Sequence, residues 1–170
     1  MIMGTTTLVS VEEYLRTSFP DADREYVDGR IVERNVGEVD HSDVQSSILH
    51  YLRTRYKKQV WAGVEVRVQV KKNRFRIPDV TVMTGSKPAE RIIRRPPAVA
   101  VEVLSPHDRA GDLEEKINDY LAFGIPYVWV INPETRRAYI HTPKGSCEAK
   151  DGILRAESAG LEVPLSDIFE

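Results

Sequence analysis

The run Val99-Ala-Val-Glu-Val-Leu-Ser105 constrains the fold more than any other stretch of the chain. Its side chains are apolar or small except for one carboxylate, Glu102. A short, β-branched, uninterrupted run of this kind reads as a strand buried on both faces, as in a mixed or parallel sheet. A lone charge in such a strand is costly to desolvate, so Glu102 either sits where the strand end opens into a cleft or is held by a cation. A second carboxylate in a similar setting is Asp79, in Ile77-Pro-Asp-Val-Thr-Val82, and Lys116 follows on a helical pattern. Two acids and a lysine on a strand–strand–helix frame are the constellation that the remaining residues must accommodate.

Around that frame the patterns are regular. Ser10-Val-Glu-Glu13 predicts a capped helix of about ten residues. Tyr26-Val27, Asp28-Gly29 and Ile31-Val32 predict a hairpin with a two-residue turn. Val44, Ile48, Leu52 and Tyr56 form one stripe of a helix from His41 to about Lys58, with Asp40 as its N-cap. Val60 to Val70 alternates strictly and predicts one long, half-exposed strand. Phe75 to Met83 predicts the next, with Pro78 marking an end, an edge or a bulge because proline cannot donate to a ladder. Asp112 with Glu115 opens a further helix, which Gly124 caps and Pro126 stops. Tyr127 to Ile131 is a third buried-looking strand. The Val99 strand, this helix and the Tyr127 strand make a crossover of the right length for a parallel βαβ unit. Lys144-Gly145 and Asp151-Gly152 predict further hairpins, and the tail from Leu165 to Phe169 is expected to pack back onto the body. The order is helix, three strands, helix, strand, with small hairpins at both ends.

At 170 residues a single domain spanning residues 1–170 is expected. The net charge of −2 makes no overall electrostatic case for nucleic acid, so such a case must come from local patches. One cluster, Lys71, Lys72, Arg74 and Arg76, leads straight to Asp79 and is the expected substrate-binding track. The single cysteine, Cys147, allows no internal disulfide. The N-terminal residues lack the basic and apolar regions of a signal peptide, and no apolar run is long enough to span a bilayer, so a cytoplasmic protein without a membrane partner is expected.

If the two acid-bearing strands are neighbours, Asp79 and Glu102 present carboxylates at one end of the sheet. Hard oxygens with positions left for water and phosphate suit Mg²⁺ or Mn²⁺, and no Cys/His set with zinc spacing exists. Such an ion can polarise a phosphoryl oxygen, and a nearby ammonium can stabilise the charge that develops on phosphorus oxygens. Lys116 shares a helix flank with Leu113 and Tyr120, beside the buried stripe, where it can serve that role or snorkel outward. Two-carboxylate glycoside hydrolysis is a weaker fit, since the chain has only two tryptophans and Trp129 looks buried.

Ile77-Pro78-Asp79 and Glu102-Val103-Leu104, with Lys116 on the following helix, resemble the PD-(D/E)xK nuclease superfamily. Leu104 stands where the superfamily pattern most often has its lysine, which looks migrated to the helix. More narrowly, the chain resembles the Uma family of bacterial restriction-endonuclease-like proteins. The matching features are Glu25-Tyr-Val-Asp-Gly-Arg-Ile31, His41 opening a helix, Arg76-Ile-Pro-Asp79, and Pro97 ahead of Val101-Glu-Val-Leu-Ser-Pro106. Asp112, Lys116, Tyr120 and Gly124-Ile-Pro-Tyr-Val-Trp129 complete the series, which covers about Glu25 to His141. The resemblance implies an α/β fold with a restriction-endonuclease-like αβββαβ core, a mixed central sheet flanked by helices. It implies a divalent metal held by Asp79, Glu102 and the Val103 carbonyl, Lys116 as catalytic lysine, and Glu25 and His41 as further catalytic-site residues. The implied activity is metal-dependent hydrolysis of phosphodiester bonds, with DNA as substrate and a homodimer favoured as the means of reaching both strands. The competing reading is a catalytically silent nuclease fold kept as a binding or assembly module.

Overall fold

The computed structural model describes residues 8–20, 23–35 and 37–169. Helix α1 covers Val11–Arg16, shorter than expected, with the Ser10 hydroxyl accepting from the Glu13 amide at 3.1 Å. Strands β1 (Arg24–Val27) and β2 (Arg30–Glu33) pair antiparallel through Asp28-Gly29, both at positive φ as the favoured two-residue turn requires. Helix α2 (Val39–Arg55) begins two residues before His41, so Glu38 and not Asp40 occupies the N-cap. It buries Val44, Ile48 and Leu52, the expected stripe.

The long strand expected over residues 60–70 is two strands. Strand β3 (Val60–Val64) ends at Glu65, whose φ of 53° breaks the extended path, and β4 (Val68–Lys71) resumes in a different sheet. The next expected strand also divides. Strand β5 (Arg74–Arg76) pairs with β4, while Ile77-Pro78-Asp79 leads into β6 (Val80–Thr84), which pairs with β3. Pro78 falls at the break, where its missing N–H removes no ladder bond.

Strand β7 (Val99–Val103) is buried at every position, as its composition demands. Helix α3 (Ala110–Phe123) ends at Gly124 in the left-handed conformation and returns the chain to β8 (Tyr127–Asn132), parallel to β7. Strands β9 (Arg137–Thr142) and β10 (Gly145–Glu148) form the expected hairpin. Asp151-Gly152 does not join paired strands. It turns the chain into β11 (Ile153–Ala156), which pairs with β12 (Leu161–Pro164) as a separate two-stranded sheet. The tail packs as expected, with Ile168 buried and Leu165 and Phe169 against the core.

The main sheet therefore has the order β10-β9-β8-β7-β6-β3, and the expected helix–three strands–helix–strand series is α2, β3, β6, β7, α3, β8. Val99, Val101 and Val103 face one apolar cluster with Ile48 and Leu52 of α2, while Ala100 faces the other with Ile117 and Tyr120 of α3. Alternation along β7 thus aims Glu102 toward α3. A second sheet, β2-β1-β5-β4, is the insertion between β3 and β6 joined to the N-terminal hairpin. Its core is Tyr14, Tyr26 and Phe75, with the Tyr14 and Tyr26 rings stacked at 5.0 Å. Through β4 it also packs on α3, so α3 lies between the two sheets.

Candidate active site

Asp79 sits on the link that carries the chain from the small sheet to the main one. Its carbonyl accepts from the Gln45 side chain at 2.9 Å and from the Glu65 amide at 3.3 Å. Its carboxylate Oδ2 accepts from the Val103 amide at 2.7 Å and lies 3.4 Å from His41 Nε2, while Oδ1 accepts from Arg34. Burial alone would raise the Asp79 pKa, but His41, Arg34 and the Val103 N–H together hold it below the usual carboxylate value. The same contact raises the His41 pKa, against burial and the Arg34 charge, and favours an imidazolium. The His41 Nδ1 is buried without a hydrogen-bond partner.

Glu102 projects from β7 toward α3. Its Oε1 accepts from the Tyr120 hydroxyl at 2.6 Å and its Oε2 from Lys116 Nζ at 3.2 Å. Lys116 and Tyr120 are four residues apart on α3, so one helical turn presents both to the same carboxylate. Lys116 also lies 3.4 Å from Glu25 Oε1 and is 19% exposed, so it points inward and does not snorkel to the surface. Glu25 on β1 is buried, accepting from the Ile77 amide at 3.0 Å and from Arg76 at 2.9 Å. Glu102 is pushed up to about 7: burial outweighs the ammonium of Lys116, and Asp79 and Glu25 add repulsion. The Lys116 pKa is raised, because Glu102 and Glu25 outweigh the desolvation of its ammonium.

These groups line one cavity of about 590 Å³, with Glu25, Arg34, His41, Asp79, Glu102 and Lys116 on its wall. That volume is in the range of small-ligand sites. The structure thus brings together all five residues expected at the catalytic centre.

Two residues of the basic run, Arg74 and Arg76, also line this cavity, but both are tied up in ion pairs. Asp119 of α3 is the hub of an ion-pair knot, with Arg76 at 2.7 Å, Arg74 at 2.9 Å and Lys71 at 3.1 Å. Arg74 adds Glu115 at 3.0 Å and a contact to Asp28. Arg76 is 3% exposed and joins Asp119 to Glu25, so its guanidinium serves as an internal tether. Of the four cations expected to track substrate, Lys72 alone is exposed and without an ion pair among the described residues. Arg34, Gln45 and Asp119 are the site residues that sequence reasoning missed. None carries a periodic signal, and each becomes visible only once the two sheets are set beside α3.

Among the described residues no three His, Cys, Asp or Glu side chains converge as a metal cage. That donor set does not suit zinc, but Mg²⁺ and Mn²⁺ need only one or two carboxylates, completed by carbonyl, water and phosphate oxygens. A cation does stand at Asp79: the Arg34 guanidinium, drawn by the charges of Asp79 and Glu102. Asp79 and Glu102 therefore fit a hard divalent ion.

The fold is similar to that of a solved protein, the crystal structure of a putative nuclease belonging to DUF820 from Anabaena variabilis ATCC 29413. The TM-score is 0.80 at 20% identity, covering 95% of this chain and 97% of that one. No curated protein matches the sequence. The profile of Uma2, described as "Putative restriction endonuclease", matches residues 11–169, so the chain belongs to the Uma2 family of restriction-endonuclease-like proteins.

Proposed function

We propose that this protein is a metal-dependent endonuclease that hydrolyses phosphodiester bonds of DNA. The observation that carries the reading is the pairing of Glu102 with Lys116 beside Asp79 on the wall of one cavity. Burial, with Asp79 and Glu25 nearby, penalises the charge of Glu102, and a divalent cation would stabilise it. Asp79, Glu102 and the Val103 carbonyl would hold Mg²⁺ or Mn²⁺. When bound, such an ion supplies Lewis-acid polarisation of a phosphoryl oxygen. Lys116, already protonated and held by two carboxylates, is preorganised to stabilise charge on the phosphoryl oxygens as the bond breaks. Tyr120 fixes the Glu102 carboxylate, and His41 and the Val103 amide fix Asp79 Oδ2. Glu25 positions Lys116 from the other side, and Arg76 holds Glu25 in turn.

DNA is favoured by the family description of a restriction endonuclease. Lys72, exposed near the knot, is the remaining candidate of the basic run for phosphate contact. A homodimer would give one site to each strand of a duplex. Light scattering at micromolar concentration tests it, and a mass of 19.3 kDa would exclude it. Activity is tested by incubating supercoiled plasmid with the purified protein and Mg²⁺, Mn²⁺ or EDTA, beside Asp79→Ala. Nicked or linear product is expected with metal and wild type alone. Intact plasmid under every metal condition would favour the silent binding module.

A further inference from the structure

Arg34 follows β2 directly and is 13% exposed, unusual confinement for a guanidinium at a strand end. It donates to Asp79 Oδ1, the oxygen left over once the Val103 amide and His41 have taken Oδ2. Its other terminal nitrogen lies 3.7 Å from Glu65 Oε1. Burial works against its charge, but Asp79, Glu102, Glu25 and Glu65 all act to keep it. The next residue anchors the segment across the cleft. Asn35 Nδ2 donates to Asp108 Oδ1 at 2.6 Å, and Asp108 Oδ2 accepts from the Ser105 amide at 2.7 Å. Arg34 is therefore held between the β1–β2 ladder on one side and the loop after β7 on the other. Charge balance and tethering both point to a cation built into the carboxylate site.

We propose that Arg34 is a resident counter-ion that competes with the divalent metal for Asp79, and that metal binding requires its guanidinium to leave Oδ1. This rests on the metal reading above and adds its regulation. A divalent ion ligated by Oδ1 would stand about 2.1 Å from the oxygen that the guanidinium engages, and at that range the two positive charges repel. A site open only part of the time binds its ligand more weakly by the fraction open. Arg34 then acts as a brake that keeps the site closed where divalent ions are scarce. Asn35 sets its strength by holding the segment against Asp108.

Calorimetric titration with MnCl₂ at constant ionic strength tests this on wild type, Arg34→Met and Asn35→Ala, with Mn²⁺-induced shifts in melting temperature as a second readout. Arg34→Met is expected to bind Mn²⁺ at least about tenfold more tightly, and Asn35→Ala about threefold, by enlarging the open fraction. The melting shift at one Mn²⁺ concentration should rank the same way. If Arg34→Met does not fold without metal, Asn35→Ala carries the test, because it keeps the charge and removes only the latch. Unchanged or weaker binding in the folded variants, with wild type binding normally, overturns the brake and leaves the metal site standing. No Mn²⁺ binding by any of the three proteins overturns both.

Discussion

Two charged clusters flank the small sheet, and they are built to opposite ends. Around Asp119 one buried carboxylate meets Lys71, Arg74 and Arg76, and its pKa falls below the usual value as their bonds and charges outweigh burial. Around Glu102 two further carboxylates crowd a single strand end, and the pKa rises to about 7 despite Lys116. Arg76 links the two, reaching Asp119 with one side of its guanidinium and Glu25 with the other. The closed cluster ties α3 to the second sheet. The open one gathers three carboxylates with Lys116, Arg34 and His41 around a cavity. A buried charge alone therefore does not mark a site.

The largest effect is expected from breaking the closed cluster. Asp119→Ala strands buried Arg76 and partly buried Arg74 and should cost about 3–5 kcal/mol, as removing one partner of a buried pair does. Urea unfolding measures it, and a loss below about 1 kcal/mol would mean the knot is not structural. In the wild type the Asp119 contribution is fully present above about pH 4 and is lost as the pH falls through its lower folded value. Asp119→Asn should flatten that acid limb.

Next comes the open cluster's cation. Lys116→Met should slow single-turnover cleavage at saturating Mn²⁺ by about two orders of magnitude or more, the scale of one preorganised donor. A folded variant cutting at the wild-type rate would show that α3 carries no catalytic group. Glu102 provides a pH signature of the opposite sign to Asp119. Its raised folded pKa stabilises the metal-free protein at low pH, and that stability is lost as the pH rises through about 7. Denaturation in EDTA from pH 5 to 8 should show the decline, and Glu102→Gln should remove it. Mn²⁺ affinity should climb over the same window, because the ion must displace that proton. The smallest effect is expected at Lys72. Lys72→Ala should change stability by less than about 0.5 kcal/mol and lower the salt dependence of DNA binding by about one charge.

What could be read from the residues depended on whether a pattern is specific to its partner. Strand β7 was legible because burial on both faces leaves a continuous apolar run, and Glu102 stood out against it. The helix stripes on α2 and α3 were legible for the same reason. The break at Glu65 was not: the valines alternate through it, and alternation reads the same in either sheet. Pro78 did signal the second break. Asp79, Glu102 and Lys116 were accessible from context, whereas Glu25 and His41 entered through family resemblance. Arg76 read as part of a substrate-binding track because nothing local tells that Asp119, more than forty residues on, will meet it. Arg34 had no signal, since its meaning lies wholly in where Asp79 folds to.

The central claim is that the open cluster around Asp79 and Glu102, and not the closed one, takes up a divalent ion. Titrating Mn²⁺ into wild type, Glu102→Ala and Asp119→Asn in one calorimetric series tests it most directly. Saturable binding is expected in wild type and in folded Asp119→Asn, and loss of binding in Glu102→Ala. Equal binding by wild type and Glu102→Ala would contradict the account.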